Sequence, residues 1–361
     1  MPSPTTVSRA VLLGVLALAL PPALVQAQSI EAPAAEATQM ETIEVVARVS
    51  GPGLWEVRHG DNVLWILGTQ SPLPRRFEWI SDEVDARLAE SSLLIAPPSV
   101  EFGAGIGRFR ALTLLPSLLR ARRNPDEQTL EEVVGPELYA RWQPLKQRYL
   151  GRGRKVETWR PLFAAMELWQ EAIEDARMTG SAPIWRAVSK SAKTLKLPVE
   201  TPQVAVKIDD PRDTIRSFAQ SPLDDLECFS RTLERLETDI EAMRERAEAW
   251  AVGDLETLRA LPFSDQNRAC QDAFLSASVG EQNRIADVPE RLRDAWLASA
   301  DKALAEHRSS VAVISIASLL DPESGVMRGL QERGYAVRAP GDSEAGTGAG
   351  TGAEQVSPAD G

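Results

Sequence analysis

Histidine and cysteine are scarce: the 361 residues hold two of each, His59 and His307, Cys228 and Cys270. Two imidazoles far apart in the chain exclude a metal centre built mainly from histidine. They also leave a serine nucleophile without a nearby imidazole base. Long apolar runs are missing as well. The longest, "VLLGVLALAL" near the start, falls well short of the roughly 20 residues needed to cross a bilayer. Positive charge is the minority: 40 Lys and Arg against 52 Asp and Glu give a net charge of −12. That balance argues against binding to a nucleic-acid backbone, which depends on cations that release phosphate counterions. Local basic clusters, "LLRARRNP" and "GRGRK", read as solvated helix ends and loops.

What is present starts with the ends. Arg9, the short apolar run and Val25-Gln26-Ala27 form a signal peptide over residues 1–27, cleaved near Ala27. The expected location is periplasmic or secreted. No cysteine follows the cut, so no lipid anchor is expected there. Residues 28–53 read as a disordered linker rich in Ala, Glu and Pro, within which "ETIEVVA" is read as solvated linker, a strand that adds to an exported partner being the alternative. Residues 341–361 form a small, polar, acidic tail expected to be disordered. The globular body then spans 54–340, long enough for a full core.

In an oxidising compartment Cys228 and Cys270 invite a disulfide, because the helical segment between them can fold back as a hairpin. The alternative is two small buried side chains.

Within the body, "LWEVRHGDNVLWILG" predicts a β-hairpin whose return strand is apolar throughout, as a central strand is. The loop "GTQSPLP" (Gly68–Pro74) follows it. Ser81 then caps a helix, and "SLLIA" (Ser92–Ala96) is a strand stopped by Pro97-Pro98. The middle is mostly helical. Leu223, Leu226, Phe229, Leu233, Leu236, Ile240 and Met243 form one stripe expected to pack in the core. "LKLPVETPQ" is a short strand with a turn, and "SSVAVISIAS", "DPESGVMRGLQER" and "YAVRA" read as strand, helix and strand. The expected class is α/β, a mixed sheet surrounded by many helices, with ligands gathering beyond the carboxyl ends of the strands. Trp55, Trp65 and Trp79 bracket the first loop and could form an aromatic platform for a sugar, with core packing the alternative for Trp65.

The order of these pieces resembles the TraB/GumN family, relatives of the Tiki proteins. The resemblance rests on "LWEVRHGDNVLWILGT", "DEVDARLAESSLLIA", "WRPLFAAMEL", "LPVETPQ" and the closing "SSVAVISIASLL…GVMRGLQERGYAV". It implies a metal-dependent hydrolase fold in which two Gly-x-x-His motifs and a Glu hold a divalent ion. At the matching positions this chain has Gly68-Thr69-Gln70-Ser71, Ala96, and Ser315-Ile316-Ala317-Ser318. Gly68 is kept, and Ser71, Ala96 and Ser318 replace the expected ligands with residues that bind transition metals poorly. His59 and His307 are expected in surface or capping roles.

The expectation that follows is a degenerate metallohydrolase scaffold with no cofactor, not a working enzyme. It would use Gln70, Ser71 and Ser318 to bind a peptide, a saccharide or an envelope protein. One alternative is a hydrolase with a non-standard site around Ser71 or Ser318, although neither serine begins a Ser-x-x-Lys pattern. Another is a carboxylate-only site using Glu200, which matches a Glu of the family pattern. A purely structural envelope protein is the last.

Overall fold

The expected hairpin forms, and it sits inside a six-stranded sheet. The computed structural model describes residues 51–103, 113–180, 182–238, 240–260, 266–275 and 287–342. Residues 1–50 and 343–361, which include the expected signal peptide and most of the expected linker and tail, lie outside the described residues. The strands are β1 (Leu54–His59), β2 (Asn62–Thr69), β3 (Leu73–Pro74), β4 (Leu94–Ile95) and β5 (Ser99–Gly103). They continue with β6 (Met178–Thr179), β7 (Val199–Glu200), β8 (Gln203–Lys207), β9 (Ser309–Ser315) and β10 (Ala336–Arg338).

The helices run α1 (Asp82–Glu90), α2 (Leu115–Ala121), α3 (Leu130–Tyr149), α4 (Pro161–Asp175), α5 (Pro183–Leu195) and α6 (Pro211–Gln220). Then come α7 (Leu226–Thr238), α8 (Ile240–Val252), α9 (Leu255–Ala260) and α10 (Gln266–Leu275). The last are α11 (Val288–Glu306), α12 (Ile316–Leu320) and α13 (Val326–Glu332). None of them is long and apolar enough to cross a membrane.

The sheet order is β10-β1-β2-β9-β4-β7. Gly60 supplies the positive φ of 59° that the β1–β2 turn requires. β2, β9, β4 and β7 are mutually parallel, so their carboxyl ends emerge on one edge, while β1 is antiparallel to β2. The fold is therefore α/β with a mixed sheet and a helix-rich middle.

Pro97 and Pro98 interrupt β4 without ending the pairing. Neither can donate a backbone hydrogen bond, yet the amide of Ser99 reaches the carbonyl of Pro202 (3.0 Å) and β5 pairs in parallel with β8. The β4/β7 pair thus continues past the edge of the main sheet as a second ribbon.

Two cores result. One surrounds the sheet and includes Leu64, Ile66, Leu94, Val311 and Val313, with Trp250 and Trp296 from the helices. The other is helical, built on Trp142, Leu168, Phe229 and Leu233. The single leucine stripe expected over 223–243 divides between packing environments. Phe229, Leu233 and Leu236 enter the helical core, whereas Met243 on α8 packs with Ile173 and Met178. Leu226 is 42% exposed, because it stands at the start of α7 outside the helical core. Helix α3 opens with a capping box between Thr129 and Glu132. It breaks at Gly135, whose φ is 79°, and restarts at Pro136.

A buried pair joins three helix ends. The Arg160 guanidinium donates to the carbonyls of Phe218 (3.3 Å), Ala219 (2.9 Å) and Ser221 (2.9 Å) at the end of α6, where a helix leaves carbonyls in need of donors. Asp225, just before α7, accepts from the amide of Leu162 (2.9 Å) in the first turn of α4. Burial pushes the Asp225 carboxyl above its ordinary value, offset in part by the Leu162 amide and the charge of Arg160.

A group whose folded pKa is raised favours folding most below its unfolded value, here 3.8, and loses that contribution as pH rises through the folded value. Asp225→Asn keeps an acceptor and removes the titration. The stability of the parent relative to Asp225→Asn is therefore expected to be greater near pH 4 than near pH 7. Urea denaturation of both proteins at the two values measures it, and the opposite slope would refute the assignment.

Candidate functional site

The register of the parallel strands places the family-motif positions on neighbouring strand ends. Gly68 stands opposite Ile314, and Thr69 opposite Ser315. Ile95 stands opposite both Ala312 and Glu200, so Ala96 follows one step beyond it at the end of β4. Gly68, Ala96 and Ser315 thus lie within about two residues of one level across three adjacent strands, near 3.3 Å per residue.

Each position has a definite environment. A Cβ on Gly68 would meet Leu319 Cδ1 at 3.0 Å and Ile316 Cβ at 3.1 Å, so its bare backbone is what lets α12 lie against β2. The ladder to β1 ends at the Leu54–Leu67 pair, one residue short of Gly68. The Gly68 carbonyl instead accepts from the indole Nε1 of Trp250 at 2.6 Å. Trp250 is 1% exposed and packs on Phe77 (5.9 Å between centroids) and Trp79 (5.6 Å). The Thr69 hydroxyl donates to the carbonyl of Ile314 (3.2 Å), tying β2 to β9 at the rim.

Gln70 is buried, with its amide donating to the carbonyl of Ser71 at 3.2 Å. Ser71 is exposed, and its hydroxyl donates to the carbonyl of Gly180 at 3.4 Å. The loop is pinned just beyond, where β3 pairs with β6. Ala96 is buried, its amide bonded to the carbonyl of Glu200 (2.8 Å).

On the other side of the edge, Ser315 is exposed at the end of β9. The second motif bends there: Ile316–Leu320 is helical, so Ser318 sits on α12 and not on the strand. Its carbonyl accepts from the Ser324 hydroxyl at 2.5 Å. The Glu200 carboxylate faces Lys302 of α11 (3.3 Å), an ion pair on the flank of the sheet.

The tryptophans expected as a platform do not gather. Trp55 pairs with Ile66 and Trp65 with Glu56, so the two indoles leave opposite faces of the sheet. Trp55 is buried, Arg87 covers Trp65 at 3.9 Å, and Trp79 joins Trp250.

Both histidines are at the opposite end of the sheet. His59 closes β1 beside the hairpin turn, edge-on to Tyr335. His307 caps the end of α11 just ahead of β9, with Nδ1 2.7 Å from the Ser92 hydroxyl. The seven steps of β2 between Asn62 and Thr69 separate that end from the motif edge by roughly 23 Å at 3.3 Å per residue.

The TraB/PrgY/gumN family profile matches residues 53–339, nearly the whole described body. The chain belongs to the TraB/PrgY/gumN family. No curated protein and no solved structure gives a significant match. The edge formed by Gly68, Ala96 and Ser315 is where the sequence resemblance leads one to expect the ligand set. The donor set of this TraB/PrgY/gumN protein does not fit a transition-metal ion: Ala96 carries no donor, and the hydroxyls of Ser71 and Ser318 are weak ligands. No group of three or more His, Cys, Asp or Glu able to hold a metal occurs among the described residues. The residue that sequence reasoning missed is Trp250, whose contact with Gly68 spans 182 positions.

Proposed function

We propose that this is an exported family member whose strand-end site binds a ligand through neutral polar groups instead of hydrolysing it through a metal. The observation that carries the reading is the composition of the edge. Ser71 and Ser315 offer exposed hydroxyls, Ala96 presents a methyl at the expected Glu position, and both imidazoles sit at the far end of the sheet. The ligand class suited to such a rim is a peptide, a saccharide or an envelope protein, each rich in neutral hydrogen-bonding groups. The signal segment at residues 1–27 supports export to the periplasm or beyond.

A restoration variant tests the reading. Ser71→His, Ala96→Glu, Ser315→Gly and Ser318→His together rebuild the two motifs and the carboxylate. Ala96 is 2% exposed, so the new carboxylate alone is expected to cost several kcal/mol of stability. A bound divalent ion would offset that cost. The expected result is a parent with no stoichiometric Zn, Mn or Co by elemental analysis and no metal-induced rise in melting temperature. The quadruple variant binds one ion and is stabilised by it. One tightly held ion per chain in the untagged parent overturns the proposal.

A second reading, hydrolysis by Ser71, meets a specific obstacle. The Ser71 hydroxyl donates to the Gly180 carbonyl, which can take no proton from it. Labelling of Ser71 by a fluorophosphonate in the folded protein would favour that reading.

A further inference from the structure

Helix α2 is amphipathic in the reverse sense. Leu115, Leu118 and Leu119 recur at three- and four-residue spacing and share one face. That face points outward: the three are 50%, 48% and 51% exposed. Contact with the body comes from Leu114 and Ala121, both buried, and from packing against α6. Single exposed leucines are ordinary, but three within one turn of a helix form a patch.

The sequence around the helix carries charge of one sign. Between Glu101 and Asp126 the sequence carries five arginines and no acid, in a chain of net charge −12. Arg120 and Arg123 on and beside α2 are exposed, while Arg122 lies over the Trp159 ring at 5.2 Å. The next acids along the chain are Asp126 and Glu127 in the following turn, and Asp213 on the packed helix α6 is paired with Arg216 at 3.1 Å.

We propose that the face from Leu115 to Arg123 docks the protein on an anionic phospholipid bilayer. The leucines enter the boundary between headgroups and acyl chains, and Arg120 and Arg123 meet lipid phosphates. The size of the patch favours lipid over a protein partner. A seven-residue helix is about 10 Å long, too short to supply the roughly 800 Å² per side of a stable protein interface. Shallow insertion needs only the local apolar stripe and the adjacent cations. The proposal is independent of what the strand-end site binds.

Sedimentation of the mature protein with vesicles provides the test, using phosphatidylcholine alone and with about 30% phosphatidylglycerol. Binding to the anionic vesicles is expected to be at least about tenfold tighter and to weaken from about 0.1 M to about 0.5 M NaCl. Leu118→Ser/Leu119→Ser is expected to lower it about tenfold or more, and Arg120→Gln/Arg123→Gln to remove the lipid-charge preference. The serine variant should keep the parent's urea midpoint. Four results overturn the proposal: no binding to either vesicle, equal binding by the serine variant, a lower midpoint for that variant, or a parent dimer that it dissociates. The third would mean that the chain itself covers the leucines, the fourth that a second copy does.

Discussion

Trp250→Ala is expected to lower the unfolding free energy by about 3–5 kcal/mol, and Trp250→Phe by about 1–3 kcal/mol. The two substitutions separate what the indole does. Its ring fills the space beneath Phe77 and Trp79, and its Nε1 supplies the one hydrogen bond that the hairpin ladder leaves open at Gly68. Phenylalanine keeps most of the ring and strands the Gly68 carbonyl, so its cost measures the hydrogen bond with its desolvation penalty. Alanine opens a cavity in addition. Urea denaturation gives both values, and amide exchange at Thr69 and Gln70 reports whether the loop loosens with the phenylalanine variant. Equal costs for the two variants would assign the whole effect to the hydrogen bond. No cost for phenylalanine would show that the Gly68 carbonyl finds another donor.

That contact also marks where sequence reading stops. Alternating and continuous apolar runs identified β1, β2, β9 and β10, because their periodicity follows from one buried face or two. The residues near the strand ends were legible too, since Gly68, Ala96 and Ser315 each follow or end an apolar run. What could not be read depends on contacts between distant segments. Ser315–Ser318 looks like the continuation of a strand, yet Ile316 and Leu319 turn into a helix because Gly68 leaves room for both beside β2. Pro97-Pro98 looks like an end, yet pairing resumes where the Ser99 amide meets the Pro202 carbonyl. The three tryptophans near the first loop looked like a group until strand register sent Trp55 and Trp65 to opposite faces. The leucine stripe was read as one surface although its residues serve different packing clusters.

The second large effect belongs to the helical core. Cys228 on α7 and Cys270 on α10 are bonded, across a sequence separation of 42 residues. The alternative of two small buried thiols gives way to a covalent link between two helices of the same core. Closing a loop of that length in the unfolded chain stabilises the fold by about 4 kcal/mol in the chain-entropy account. Cys228→Ala/Cys270→Ala removes the link while keeping small apolar side chains in place. It is expected to lose roughly that amount, or about 10 °C in melting temperature. The effect should be confined to stability. Both cysteines belong to the helical core, whereas Trp250 and the apolar residues leading up to Gly68 belong to the sheet core. The double variant should therefore keep the near-ultraviolet signal of Trp250 under native conditions and bind vesicles as the parent does. An unchanged melting temperature would show that packing between α7 and α10 restrains the chain without the bond.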